Sequence, residues 1–312
     1  MKPKSGIQKS GIQKSGFKLF LLTLPFLAAV FIFSYLPLHG WIYAFFDYRP
    51  GLKLSQVDFT GFKYFTMIVS NAVRVSQVTR VLRNTFAMSF LGILFSPLPM
   101  IFALLLTEIR SKTVKRLVQT LTTIPNFISW VLVYAIAFAM FSTDGFINRL
   151  LVNLNLTSDS INFLASNKNV WMKMLGYTLW KGLGWSAIMY LATIATIDQE
   201  LYEAAVVDGA NRFQKVWHIT IPGLLPTYFV LLLLSIGNFI NNGIDMYYVF
   251  QNPLNKEWIE VLDLYIYNQG FGGIGSGVPF ATAVGMIKSL VSVVLLFTAN
   301  KLSQVIRKEK IF

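Results

Sequence analysis

The amino-acid sequence predicts an all-α protein that crosses a membrane several times. Of its 312 residues, 54% are hydrophobic and only 13% are charged, and the mean hydropathy is +0.56. A soluble domain usually carries about 25% charged residues, so this chain lacks the polar surface that water would require. The apolar residues also occur in long runs without Asp or Glu, which is the pattern of transmembrane helices.

Six of these runs reach the roughly 20 apolar residues that a helix needs to cross the hydrocarbon core. Four contain no charged residue, and two contain one lysine each, Lys181 and Lys288. We therefore predict six transmembrane helices, over residues 19–46, 84–107, 117–143, 174–195, 219–244 and 279–300. An amphipathic helix at the membrane interface is predicted just before the second span, because Arg74, Arg80 and Arg83 recur there among apolar residues.

The distribution of cations predicts that both termini are cytoplasmic. Fifteen of the 27 lysines and arginines lie in the segments on the N-terminal side of the membrane, and nine lie in the segments on the other side. Residues 1–16 form a basic tail that we expect to be disordered near anionic lipid, and residues 17–312 form the membrane domain. A cleaved signal peptide is disfavoured, because the first apolar run exceeds the roughly 7–15 residues of a signal peptide.

Several kinds of site are excluded by the residues that the sequence lacks. There are no cysteines, and the two histidines, His39 and His218, are distant in sequence. We therefore predict no disulfide, no metal site and no cofactor. The net charge of +13 comes from cations that flank apolar runs, so it reports membrane topology and does not indicate nucleic-acid binding.

The placement of the acidic residues argues against a proton-coupled carrier. All 14 Asp and Glu residues lie outside the six predicted spans, whereas such a carrier usually binds its coupling proton on a carboxylate within the membrane. The chain also has no Gly-x-x-x-x-Gly-Lys-Ser/Thr loop for the phosphates of ATP. An ion-coupled secondary carrier is therefore the weaker alternative, and ATP-driven transport would need a separate ATPase.

A polar segment, residues 198–221, separates the fourth and fifth spans. Asp198 is placed to cap a first short helix that runs to Asp208, and Gly209 is expected to end it. Residues 211–219 suit a second short helix. The segment is therefore predicted to be two short helices on the cytoplasmic side of the membrane.

The side chains of this polar segment suit docking to a basic partner, because acidic groups stand beside alanines that let a partner approach closely. An ordinary connector without a partner is the alternative. The pattern is carried by Glu203, Ala204, Ala205, Asp208, Gly209 and Ala210. Together with Ile219 and Pro222, it resembles the signature loop of permease subunits of binding-protein-dependent ABC importers of the maltose-type superfamily, the loop that is engaged by the ATPase.

The resemblance implies a type I ABC-importer permease fold and a transport subunit without enzyme activity. Such a chain lies in the bacterial plasma membrane and forms half of a pore beside a second permease subunit. An extracellular solute-binding lipoprotein delivers the sugar, and two ATPase subunits drive alternating access through the loop at 203–222. Further motifs, among them Trp180-Lys181-Gly182-Leu183-Gly184-Trp185, resemble the branch that imports complex saccharides.

Six residues within the spans are candidate contacts for an oligosaccharide. Amide and ammonium groups can hydrogen-bond sugar hydroxyls, and an aromatic ring offers an apolar face. The candidates are Lys181, Trp185, Asn238, Asn241, Asn242 and Lys288. The alternatives are helix packing or contact with headgroups for the lysines, and hydrogen bonds between helices for the asparagines. A lysine that faces a cavity would also attract a uronate.

Overall fold

The structure is a computed structural model that describes residues 9–272 and 277–307. These residues are helical apart from loops and one isolated bridge between Phe46 and Phe59, so the all-α prediction is confirmed. The α-helices of the described residues are α1 (Lys9–Val30), α2 (Lys63–Thr66), α3 (Ala72–Leu94), α4 (Leu98–Glu108), α5 (Lys112–Thr123), α6 (Trp130–Phe141), α7 (Phe146–Asn153), α8 (Val170–Thr196), α9 (Gln199–Val207), α10 (Arg212–Lys215), α11 (Ile221–Gly237), α12 (Asp245–Phe250), α13 (Lys256–Ile259), α14 (Leu262–Phe271) and α15 (Val278–Arg307). Residues 1–8 of the predicted tail lie outside the described residues, and α1 begins within that tail.

Five helical stretches of the described chain are long and apolar enough to cross a membrane. They are Lys18–Phe45, Ala72–Glu108, Trp130–Asn153, Arg212–Gly237 and Val278–Lys301. The remaining predicted span, 174–195, lies within α8. This helix has 27 residues, or about 40 Å at 1.5 Å per residue, but its lysines and glycines make it less apolar. Six helical stretches are therefore long enough to cross the membrane, as predicted, and five of them are also apolar enough.

The amphipathic segment before the second span is helical as predicted, but it is not a separate interfacial helix. It forms the first turns of α3, which runs without a break into the apolar part of the span. The Arg80 guanidinium lies 2.6 Å from the buried carboxylate of Glu260, and the Arg83 guanidinium lies 4.1 Å from the ring centroid of Trp258. These two arginines therefore contact protein groups that attract a cation.

Three predicted spans are interrupted inside the runs that hydropathy marks as continuous. In the second span, α3 ends at Leu94 and α4 begins at Leu98. In the third span, α5 ends at Thr123 and a 3₁₀ turn follows before α6 begins. Pro125 explains this interruption, because proline lacks a backbone N–H and clashes with the preceding turn. In the fifth span, α11 ends at Gly237, and residues 238–244 contain no α-helix before α12. The predicted helix at 117–143 is replaced by α5 and α6. The predicted helix at 219–244 ends early with α11, because α12 begins beyond residue 244.

The segment between α1 and α3 folds back on itself. The backbones of Phe46 and Phe59 pair there, and the Tyr64 hydroxyl donates to the Asp47 carboxylate at 2.5 Å. Burial, with this hydrogen bond, raises the pKa of Tyr64 to about 12. The same hydrogen bond holds the pKa of Asp47 below its usual value. A neutral phenol and an ionised carboxylate therefore join two distant parts of the segment at physiological pH.

Helix α8 is packed on several sides, with contacts to α3, α4, α5 and α11. Its buried residues Ala187 and Tyr190 belong to a cluster that includes Leu104 and Leu224. The crossing with α5 is so close at Gly184 that a β-carbon there would lie 2.4 Å from the carbonyl group of Thr122. A residue without a side chain lets two helix backbones approach in this way.

We expect Gly184→Ala to lower the thermal stability of the protein. The added methyl group would overlap the backbone of Thr122, and overpacking of this kind costs about 1–3 kcal/mol. Gly182→Ala is the matched control, because a β-carbon added at Gly182 would have no neighbouring atom within 4 Å and alanine favours the helix. Thermal unfolding of the purified variants in detergent measures both effects. An unchanged Tm for Gly184→Ala would contradict the close crossing of α5 and α8.

Candidate functional site: adjoining cavities and an exposed polar segment

Three adjoining cavities, here called the pathway cavities, lie between the helices. The first has a volume of 370 Å³, and the interruption that follows α11 forms part of its lining. It shares Ser235 and Asn238 with the second cavity, of 500 Å³. It shares Trp130 and Asp245 with the third cavity, of 620 Å³. The interruption of the fifth span therefore forms the central wall of the set.

Five of the six predicted pathway residues line these cavities. Asn241 and Asn242 line the first, Asn238 lines the first and second, Trp185 lines the second, and Lys181 lines the third. Apolar and aromatic walls with a few convergent polar groups are typical of a small-molecule site. The structure thus brings these side chains together, and their contact with a saccharide remains a prediction.

The three asparagines also make bonds within the protein. Asn238 donates to a carbonyl of its own helix at 3.1 Å, Asn241 donates to Ser292 at 3.3 Å, and Asn242 donates to Ser89 at 2.9 Å. Two of the three therefore join the fifth span to α15 and α3. Asn241 and Asn242 therefore bond to other helices and also line the first cavity.

Lys181 supports the interruption of the third span. Its ammonium donates to the carbonyls of Asn126 at 2.6 Å and Pro125 at 3.3 Å, and it lies 5.5 Å from the ring centroid of Trp130. A 3₁₀ turn leaves carbonyl groups that an α-helix would have bonded. Because an ammonium has three N–H groups, one remains for the third cavity. Among the described residues that line the pathway cavities, Lys181 is the one cation and Asp245 the one acid.

Lys288 has a protein partner in place of the predicted sugar. Its ammonium contacts the carboxylate of Asp263 on α14, both side chains are 14% exposed, and Lys288 is not among the residues that line the pathway cavities. The expectation that no carboxylate reaches a span is corrected by this contact. Asp263 lies outside the apolar runs in sequence, yet folding of α14 brings it against the last span.

Sequence reasoning missed several residues that the fold adds to the cavities. Each comes from a different helix, so no local pattern links them. They are Ser89, Trp130, Thr178, Tyr228, Asp245 and Tyr267. Asp245 alone had a signal, since it follows directly after the asparagine-rich run.

The first helix of the polar segment has the predicted caps. The Asp198 carboxylate accepts a backbone N–H of the first turn of α9 at 3.0 Å. At the other end, the amide of Ala210 donates to the carbonyl of Ala205 at 2.8 Å, and the amide of Gly209 donates to that of Val206 at 3.1 Å. These two bonds form a Schellman motif, in which Gly209 adopts a left-handed φ of 75°. Gly209 and Ala210 of the signature therefore end helix α9 through their backbone N–H groups.

The second helix of the polar segment begins as predicted but changes type. Helix α10 continues as a π-helix over Val216–Thr220, which runs directly into α11. Asn211 and Gln214 form a capping box, in which each side chain accepts the backbone N–H of the other. Both helices of the segment thus have satisfied ends.

The polar segment exposes large apolar side chains beside its acids. Val207 is 87% exposed, Phe213 72% and Trp217 58%, and the two rings stack with centroids 6.0 Å apart. Glu203 and Asp208 are exposed on the same segment. Exposed apolar side chains that are rimmed by polar groups mark a protein interaction site. We call these five residues the docking surface.

Comparison with known proteins identifies the family. The family of binding-protein-dependent transport system inner membrane components matches residues 95–308, which include the polar segment and all the candidate pathway residues. The chain belongs to this family. The resemblance seen in its signature loop is thereby confirmed, and this permease is a multi-pass transport subunit of the inner membrane and not an enzyme.

Relatives of this permease include two proteins of Bacillus subtilis (strain 168). It is 40% identical to protein LplB, over 94% of this chain and 91% of LplB. It is 36% identical to the polygalacturonan/rhamnogalacturonan transport system permease protein YteP, over 94% of this chain and 90% of YteP. Its fold is similar to a chain of the bacterial alginate ABC transporter in complex with alginate pentasaccharide-bound periplasmic protein, with a TM-score of 0.83 and 32% identity over 96% of this chain and 98% of that chain.

We expect Lys181→Met to lower the Tm of the permease. The carbonyls of Pro125 and Asn126 would lose a charged donor, and such hydrogen bonds contribute about 1.5–3 kcal/mol each. Lys181→Arg keeps the charge and the donors and should retain more of the stability. Thermal unfolding in detergent compares the two variants with the native protein. A Met variant as stable as the native protein would show that the ammonium does not support the interrupted span.

Proposed function

We propose that this permease forms half of the membrane pore of an ATP-driven importer for oligosaccharides released from polysaccharides. Its partners are a second permease subunit, two copies of an ABC ATPase and an extracellular solute-binding lipoprotein. Both termini and the docking surface face the cytoplasm of a bacterial cell. The pore alternates between outward-facing and inward-facing states as the ATPases close and reopen.

The docking surface is the observation that carries the proposal of ATP coupling. Exposed Val207, Phe213 and Trp217 in an aqueous segment are costly unless a partner covers them, and burial of such side chains contributes about 1.5–3 kcal/mol each. Glu203 and Asp208 add charges that a basic groove would pair. A separate ATPase that binds there supplies the energy for which this chain has no ATP loop of its own.

The connections of the polar segment support a mechanical role in coupling. One residue, Ile197, separates it from α8, and the π-helix joins it to α11 without a loop. Both of these helices line the pathway cavities, through Lys181 and Trp185 of α8 and Ser235 of α11. A displacement of the docking surface by the ATPase is therefore passed to two walls of the pathway.

The polar groups of the pathway cavities support a saccharide, and the names of similar proteins support one that carries negative charge. Asparagine, serine and tyrosine side chains match sugar hydroxyls, and Trp185 supplies a ring face. Lys181 keeps one donor for the third cavity, which Asp245 also lines, and Lys288 is paired with Asp263. Two similar proteins bear names that refer to uronate polymers, polygalacturonan and alginate. We therefore assign a uronate-containing oligosaccharide as substrate.

The coupling proposal is tested with two substitutions of the same type. Val207→Ser removes an apolar side chain from the docking surface, whereas Val69→Ser changes a residue that is 71% exposed in the segment between α1 and α3. We expect the first to lower saccharide-stimulated ATPase activity about tenfold, since about 1.4 kcal/mol of contact energy corresponds to that factor. The second should leave the activity unchanged.

Both valine variants are assayed in the complete transporter, with membrane insertion checked by the amount of purified permease. Equal ATPase activity in Val207→Ser and the native transporter would remove the docking surface from the coupling mechanism.

The substrate proposal is tested with tetragalacturonate and its uncharged methyl ester. We expect the native transporter to import the charged form about tenfold more efficiently, because a hydrogen bond to a charged group contributes about 1.5–3 kcal/mol. Lys181→Met should bring the two uptake rates close together. The ratio of the two rates is compared, so that a change in the amount of folded protein cancels. A ratio that Lys181→Met does not alter would rule out Lys181 as the uronate contact.

A further inference from the structure

A carboxylate on α14 holds the interrupted end of the fifth span. One oxygen of Asp263 contacts the ammonium of Lys288. The other oxygen accepts the backbone N–H groups of Asn242 and Gly243, each at 2.9 Å. Consecutive amides converge on one anion when one residue of the pair is left-handed, and Gly243 has a φ of 74°. We call the two bonds from the amides to Asp263 the clamp.

The clamp and one side-chain bond together set the direction of Asn242. The Ser89 hydroxyl donates its only proton to the carbonyl of Phe239, so its oxygen can only accept from Asn242. This assigns the nitrogen of the Asn242 amide to the side of Ser89. The amide oxygen is buried and has no hydrogen-bond partner among the described residues, while Asn242 lines the first pathway cavity.

We propose that Asp263 is a positioning residue for transport. Its carboxylate holds Asn242 at the wall of the first cavity, where the side-chain amide hydrogen-bonds a hydroxyl of the passing oligosaccharide. This inference rests on the proposed import of oligosaccharides. Asn242 is the residue that touches the substrate, and Asp263 acts through it.

Lys288 has a defined part in this arrangement. A carboxylate that is 14% exposed is strongly disfavoured in its charged form unless a cation and hydrogen-bond donors accompany it. The ammonium of Lys288 supplies the cation, and the amides of Asn242 and Gly243 supply the donors. Lys288 thus compensates the charge of Asp263, whose other oxygen accepts both amides, without touching the saccharide.

An ion pair that only joins α14 to α15 is the competing explanation. Such an ion pair would also bring Lys288 and Asp263 together. It would not require the second carboxylate oxygen to accept two amides on a cavity wall. Two charge-free double variants separate these explanations. Asp263→Asn with Lys288→Met keeps a side-chain carbonyl for the amides, whereas Asp263→Leu with Lys288→Met has no acceptor. Both remove the ion pair.

The first measurement is hydrogen exchange of the amides of Asn242 and Gly243 in the purified transporter. We expect protection close to native in the Asn/Met variant and faster exchange in the Leu/Met variant. Equal exchange in the two variants would overturn the clamp. This readout needs no substrate, so it separates a failure of the clamp from a failure of the proposed function.

The second measurement is uptake of tetragalacturonate by the complete transporter. In the Leu/Met variant we expect the KM to rise about tenfold with little change in maximal rate, as for the loss of one substrate hydrogen bond. The Asn/Met variant should keep a near-native KM. Asn242→Ala should raise the KM similarly and add nothing to the Leu/Met variant, because both lose the same contact.

A charge exchange provides the decisive control. Asp263→Lys with Lys288→Asp restores an ion pair but leaves no acceptor at position 263 for the amides of Asn242 and Gly243. We expect it to behave like the Leu/Met variant in both measurements. Recovery of a native KM by this exchanged pair, or equal KM values in the Asn/Met and Leu/Met variants, would show that the ion pair alone matters.

Discussion

Lipid offers no hydrogen bonds, so an interrupted transmembrane helix must have its backbone polar groups satisfied by protein. In two of its interrupted spans the permease meets this constraint with a charged side chain from another helix. Lys181 of α8 donates to carbonyls in the interruption of the third span. Asp263 of α14 accepts amides in the interruption of the fifth. The sign of each charge matches the backbone groups exposed there, carbonyls for the cation and N–H groups for the anion.

The pathway cavities are a consequence of these interruptions. A continuous α11 would carry its side chains past the position where Asn241 and Asn242 now form a wall. Polar groups can stand in an otherwise apolar interior only when their neighbours hold and partly satisfy them, and Ser89 and Asp263 do this for Asn242. The largely buried pair of Asp263 and Lys288 thus helps to hold the wall of the cavity, which accounts for two charges in a part of the molecule where charges are costly.

The polar segment follows a different physical rule, because its side chains are exposed and a partner is proposed to cover them. The Schellman motif at Gly209 and the capping box at Asn211 satisfy its helix ends internally. Its exposed side chains are therefore free for docking, while its backbone is stiff. A stiff element that continues into α11 transmits displacement better than a flexible loop, and this links the proposed energy source to the cavity walls.

What the sequence determined by itself was local. Hydropathy showed the spans, and capping and glycine chemistry showed α9 and its end at Gly209, because neighbouring residues along the chain settle these features. Pro125 marks the interruption of the third span, but only the structure shows that helix α6 begins again beyond it. The partners of Arg80 and Lys288 were decided by the tertiary structure alone. Arg80 meets an acid 180 residues away, and Lys288 meets one 25 residues away on another helix. Such pairs depend on how helices pack, and neither hydropathy nor spacing along one helix records that.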